Sequence, residues 1–213
     1  MRTQPSRSSR SSKSLQKKAE RPRRVAAAAC PDPPGSGAQT VSGTCVVVDG
    51  TGVLLTGPSG IGKSETALAL VSMGHRFVAD DVVRVRAGKG GRIFGSGFVP
   101  ARPVIEIRGL GVLDISRVYG PRSVADEAGM DLVIELVPAE GWTASDPLVG
   151  IHPVGLAGRD AAGVRIPVLP GRSLPILVEA AVRLFRLYRR GIDPSGGFGR
   201  SLDRKLARGR KGS

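Results

Sequence analysis

The chain has 213 residues, one domain or somewhat more at about 150 residues each, with 32 Lys/Arg against 18 Asp/Glu and a formal net charge of +14. No apolar run approaches the roughly 18 residues of a spanning helix, which excludes a membrane span. Two cysteines cannot make a disulfide-dense secreted scaffold, and the absence of a Gly-x-y period or a sustained heptad excludes collagen and long coiled coil.

The charge sits at the ends. Residues 1–40 carry nine basic and two acidic side chains, residues 183–213 carry ten and two, and the stretch between them is close to neutral. From Arg2 to Arg24 the chain alternates Arg, Ser and Lys, then runs through Ala26–Ala29 into Pro31, Pro33 and Pro34. Such a composition buries too little apolar area to offset chain entropy, so residues 1–40 are expected to form a disordered basic tail. Its Arg/Ser content also superficially fits an organelle transit peptide, or an arm that binds nucleic acid.

Beyond Thr40, apolar runs alternate with glycines. Cys45–Val48 reads as a strand closed by the hairpin turn Asp49-Gly50, with Val53–Thr56 returning as a central, buried strand. Ser64–Ser72 has helical spacing, and Gly74 supplies a stop. Phe77–Ala79 leads into Asp80 and Asp81 as the next strand, expected to continue to Val85. Gly88–Gly91 turns the chain and Arg92–Phe94 pairs back. Further strands are expected at Val104–Arg108, Asp131–Val137 and Val164–Leu169, and the longest helix at Leu174–Arg190. Pro194 and Gly196-Gly197 then release a second polar tail. The division is a tail at 1–40, a mixed α/β domain at 41–191 and a basic tail at 192–213.

One motif dominates. Gly57-Pro58-Ser59-Gly60-Ile61-Gly62-Lys63-Ser64 fits G-x-x-x-x-G-K-[ST] and lies between an expected buried strand and a helix. Glycines at 57, 60 and 62 let the backbone curl and aim N–H groups inward, and the positive end of the next helix adds to that field. Lys63 can then reach the β- and γ-phosphates of ATP, and the Ser64 hydroxyl can ligate Mg²⁺. Asp80 and Asp81 end a buried strand as a Walker-B-type acid should, to orient a metal's water shell or take a proton from a nucleophile. Neighbouring strand residues point to opposite faces, so only one of the two is expected to face the phosphates.

The stretch Gly57–Val83, GPSGIGKSETALALVSMGHRFVADDVV, strongly resembles the catalytic domain of the bacterial HPr kinase/phosphorylase family. Ile105-Glu106-Ile107-Arg108-Gly109-Leu110-Gly111-Val112 is similar to that family's EIRGLG block, and Val168–Ser173 to its PGRN-type block, so the resemblance spans about residues 42–190. It implies a P-loop α/β fold related to PEP carboxykinase, a homo-oligomer that is commonly hexameric, and the phosphocarrier HPr or a homologue as partner. The implied reaction is ATP-dependent phosphorylation of an HPr serine, with phosphate driving the reverse. Lys63 would hold phosphates, Ser64 and Glu106 would bind Mg²⁺, and Asp81 with Asp80 would supply the acid/base. Arg108 falls in the block used for both directions, and Arg172 would stand nearest the transferring phosphate.

Two positions depart from that pattern. Ser42, ahead of Gly43, stands where the family usually has histidine, and a hydroxyl cannot serve as a near-neutral acid/base. Pro147, after Trp142, stands where an active-site arginine is expected. These departures motivate the alternative, a nucleotide-binding regulator of the same fold with impaired catalysis.

The remaining features add less. His75 reads as structural and His152 as part of a loop. Cys30 and Cys45 suggest no metal site, and a reducing cytoplasm is the compatible compartment. Nucleic-acid binding by the charged ends is disfavoured, since no stacking aromatics are interleaved among those charges.

Overall fold

The computed structural model describes residues 38–98, 102–141 and 150–192. The chain order is β1 (Gln39–Ser42), β2 (Thr44–Val48), β3 (Thr51–Thr56), α1 (Lys63–Ser72), β4 (Arg76–Ala79), β5 (Val82–Ala87), β6 (Ile93–Ser96), β7 (Val104–Ile107) and β8 (Gly111–Asp114). It continues through α2 (Ile115–Tyr119), β9 (Glu127–Gly129), β10 (Leu132–Pro138), β11 (His152–Leu156), β12 (Arg159–Val168) and α3 (Leu174–Arg189). Residues 1–37 of the expected first tail and 193–213 of the second lie outside the described residues, as do Cys30, Trp142 and Pro147. Gln39 and Thr40, expected in the first tail, instead open β1 because β5 pairs with them.

The strands form a six-stranded mixed sheet in the order β11-β12-β10-β3-β2-β4, a four-stranded sheet β1-β5-β6-β9, and the ribbon β7-β8. In the large sheet β3, β10 and β12 are parallel, while β2 runs antiparallel to both β3 and β4. This arrangement brings the start of β2 and the ends of β3 and β4 to the same edge, which is where the motif residues gather.

Every residue of β2 is buried because the large sheet is covered on both faces. Val46 and Val48 pack with Leu55, Ile134 and Leu136 under α1 and α3, which contribute Leu70, Val178 and Phe185. The alternate residues Cys45, Val47, Leu54 and Val133 pack against Val83, Val85 and Ile93 of the small sheet. The strand pattern 2.0 thus sorts one continuous apolar run into two cores. The hairpin at Asp49-Gly50 forms as expected, with Asp49 and Gly50 both at positive φ. His75 is buried and its Nε2 lies 2.8 Å from Glu179 Oε1, fastening the end of α1 to α3.

The two sheets touch at Gly52, whose Cβ, if it had one, would fall on the carbonyl oxygen of Gly129. The obstacle is backbone and cannot rotate away. Gly52→Ala is therefore expected to lower stability by roughly 3 kcal/mol, the upper end of ordinary overpacking, in a chemical denaturation series. Gly155→Ala, on β11 with open space around the position, is the control and should melt like the parent.

Several expectations need correction. The single strand Phe77–Val85 is two strands in different sheets, β4 and β5, broken at Asp80-Asp81. The break is a γ-turn: Val82 N–H donates to Asp80 O at 2.9 Å across Asp81, whose φ is +68°. His152 opens β11 rather than lying in a loop, because it pairs with Gly163 of β12. That strand begins at Arg159, five residues before the expected Val164. The expected strand Val104–Arg108 stops at Ile107.

Candidate active site

The loop Gly57–Gly62 leaves the end of β3 and enters α1 at Lys63. Gly57, Gly60 and Gly62 all have positive φ, so the glycines of the motif meet a backbone demand. A side chain at Gly57 would also strike the carbonyl of Leu136 on β10. Gly62 caps α1 with no side-chain hydrogen bond, and among the described residues no side chain bonds the first-turn amides. Lys63 Nζ donates to Gly57 O and Pro58 O, each at 3.0 Å, and folds the ammonium back across the loop.

A cavity of about 480 Å³ opens beside this loop. Ser59, Gly60, Gly62, Lys63 and Ser64 line it, whereas Gly57, Pro58 and Ile61 do not. Gly57 and Pro58 serve instead as acceptors for Lys63, and Ile61 packs on the core beneath. Asp80 and Asp81 both line the cavity, contrary to the expectation that strand alternation would turn one away. The γ-turn at Asp81 interrupts the alternation and swings both carboxylates to the same side.

The ribbon β7-β8 supplies the opposite wall. Ile105 and Ile107 point into the core, so Val104 and Glu106 alternate outward on β7, and both line the cavity with Arg108 and Val112. Glu65, from the first turn of α1, completes a lining that holds four carboxylates and two cations. Among the described residues no group of three or more His, Cys, Asp or Glu is arranged to hold a metal.

Arg172 is placed differently. It is exposed on the turn before α3, its N–H donates to Leu169 O at 3.2 Å, and it is not among the lining residues. Its segment does adjoin the loop, since Leu174 Cδ1 would stand 3.7 Å from a Cβ at Gly62. Ser42 ends β1 in register with Val82, next to Asp81, and is likewise not in the lining.

Sequence reading missed Thr44. Its side chain is fully buried and its hydroxyl donates to Asp80 Oδ1 at 2.5 Å. The available signal was a hydroxyl residue at the head of an otherwise apolar strand. Nearby, Gly43 N–H donates to Asp81 O at 3.1 Å.

Residues 36–201 match the model of the HPr serine kinase C-terminal domain. The chain belongs to that family. The HPr kinase/phosphorylase of Leptospira biflexa (strain Patoc 1) is 41% identical over 164 residues, covering 76% of this chain and 51% of that protein. The HPr kinase/phosphorylase of Geobacillus sp. (strain WCH70) is 40% identical over 166 residues, covering 76% and 52%. The chain thus spans about half the length of the curated relatives it matches. The solved structure of the Hpr(Ser) kinase/phosphatase from Coxiella burnetii superposes with a TM-score of 0.67 at 36% identity, covering 75% of this chain and 98% of that one. The mixed α/β architecture of this HPr kinase domain agrees with that likeness. No helix among its described residues is long and apolar enough to cross a membrane.

Proposed function

We propose that residues 41–191 form an ATP-dependent kinase domain that phosphorylates a serine of HPr or a homologous phosphocarrier, and that phosphate drives the reverse reaction. The observation that carries the reading is the single cavity onto which Lys63, Ser64, Asp80, Asp81, Glu106 and Arg108 all open.

In the forward direction the serine Oγ attacks the γ-phosphorus, the bond from that phosphorus to the β-phosphate oxygen breaks, and ADP leaves. The serine proton passes to the carboxylate pair, with Asp81 and Asp80 sharing the role of base. Lys63 exchanges its two carbonyl acceptors for phosphate oxygens, and the uncapped amides at the start of α1 add donors. Arg108 offers a second cation from the far wall. In reverse, phosphate attacks the phosphoserine, the carboxylate returns a proton to the leaving serine oxygen, and atom balance makes the product pyrophosphate.

Mg²⁺ fits the donor set. Two cations against four carboxylates would repel bare polyphosphate, and the available ligands are all oxygen. Ser64 and Glu106 would hold the ion, which when bound supplies charge neutralisation, with substrate phosphates and water as its other ligands. The relatives' name, HPr kinase/phosphorylase, supports HPr as the acceptor, and the resemblance of the sequence blocks further suggests a homo-oligomer, commonly a hexamer, working in the cytoplasm.

The test is incubation of the chain with purified HPr and γ-labelled ATP, with and without added phosphate. Label should enter a single HPr serine and leave again when phosphate is supplied. Nucleotide binding with no incorporation would replace this reading with the impaired regulator that Ser42 and Pro147 suggest.

A further inference from the structure

The carboxylate pair does not stand alone. It is gripped from the chain crossing beside it, where β1 passes into β2 through Gly43. Gly43 N–H donates to Asp81 O at 3.1 Å, and Val82 N–H donates to Asp80 O at 2.9 Å. Those two bonds fix the main chain of a turn whose central residue, Asp81, has a φ of +68°. A third contact reaches the reacting group itself, for the Thr44 hydroxyl donates to Asp80 Oδ1 at 2.5 Å. Among the described residues Oδ2 of Asp80 accepts no hydrogen bond, and Asp80 lines the cavity.

Thr44 suits this task on three counts. Its side chain is completely excluded from water, so no solvent molecule competes for the hydroxyl. Its β-branched side chain is stiff at χ1, so the hydroxyl has a fixed direction. It also stands on the central hairpin of the large sheet, paired with Leu55 one residue before β3 ends. The loop that leaves β3 and the anchor of Asp80 are therefore built on adjacent, hydrogen-bonded strands.

We propose that Thr44 is a positioning residue for the acid/base pair: its hydroxyl clamps Oδ1 of Asp80 and so fixes where Oδ2 points relative to the phosphate loop. The proposal rests on the kinase reading, in which this pair handles the serine proton. An anchored carboxylate presents one oxygen at one place, whereas a free one rotates, and misplacement by an ångström can cost about a hundredfold in rate.

The test compares Thr44→Val, which removes the hydroxyl at constant shape, with Thr44→Ser, which keeps it. With HPr and ATP, Thr44→Val should lower kcat by about ten- to a hundredfold, with KM for both substrates and nucleotide Kd within about twofold of the parent. Thr44→Ser should restore kcat to within about threefold. A packing role alone would instead leave serine as poor as valine. The side-chain carboxyl carbon of Asp80, followed by NMR, gives a readout that needs no turnover: its signal should move in Thr44→Val and return in Thr44→Ser.

Unchanged kcat in Thr44→Val, failure of serine to rescue, or an unmoved Asp80 signal would each overturn the proposal. A parent chain inactive on HPr would overturn the kinase reading and not the contact, which the Asp80 signal then decides by itself. If Thr44→Val does not fold, Thr44→Ala against Thr44→Ser makes the same comparison.

Discussion

Lys63→Ala is expected to reduce transfer of phosphate to HPr by about 10³-fold, the larger end of what removing one preorganised donor costs. The cavity lining holds Lys63 and Arg108 as its cations against Glu65, Asp80, Asp81 and Glu106. Taking away the lysine leaves one cation facing four carboxylates, at the place where a transferring phosphoryl group concentrates its charge. The fold should be nearly indifferent to the change. Lys63 contributes two hydrogen bonds to main-chain carbonyls on a loop surface, each worth about 1 kcal/mol net and replaceable by water. Initial rates with labelled ATP, set beside a thermal melt, separate the two effects. Lys63→Arg should not rescue, because a planar fork cannot take the place of a compact ammonium tucked under the loop. Retention of more than about a tenth of parental activity in Lys63→Ala would remove this lysine from the reaction.

The second large effect is expected at Asp81. Asp81→Asn keeps a side chain that tolerates positive φ but cannot accept a proton, and should lower kcat by about 10²- to 10⁴-fold. Asp81→Gly should lose as much activity for a different structural outcome. A non-glycine residue in the left-handed region is strained by about 1–2 kcal/mol, and glycine relieves this at an entropic cost of about 0.5–1 kcal/mol. The glycine variant should therefore melt at or above the parental temperature while failing to transfer phosphate. A loss of stability in Asp81→Gly would mean that the carboxylate holds the turn together, and would relieve it of its role as base.

Much of this was legible in the sequence, because local chemistry dictated it. The glycines at 57, 60 and 62 have to be glycine for a loop of positive φ, and Asp49-Gly50 forces the hairpin that puts β3 in the centre of the sheet. Glu106 was singled out by the family resemblance alone, and the structure sets it on the outward face of β7 between the buried Ile105 and Ile107. What escaped depends on distant partners. β1 is polar and largely exposed along its length, and is a strand only because β5 pairs with it. The break at Asp80-Asp81 has no glycine or proline to announce it. It exists because β4 pairs with β2 in one sheet while β5 pairs with β1 in another. Thr44 stands one residue ahead of the expected strand Cys45–Val48, and its significance appears only when Asp80, 36 residues away, comes into hydrogen-bonding range. Arg172 shows the reverse: Leu174, two residues on, approaches the loop at Gly62, but Arg172 itself is exposed and does not line the cavity.

The crossing at Asp80-Asp81 has a dynamic consequence as well. The chain passes between the large and small sheets twice at the same spot, once through Ser42–Gly43–Thr44 and once through Ala79–Asp80–Asp81–Val82. The Gly43 amide bonds from one crossing to the other, to Asp81 O, whereas the Val82 amide bonds locally to Asp80 O within the turn. Gly43 is buried, so its amide proton exchanges with solvent deuterium when the two crossings part, whereas the amides of β3 or β10 exchange when the large sheet itself comes undone. The Gly43 amide is thus a built-in clock for how often the two crossings separate at the cavity, readable without any substrate present.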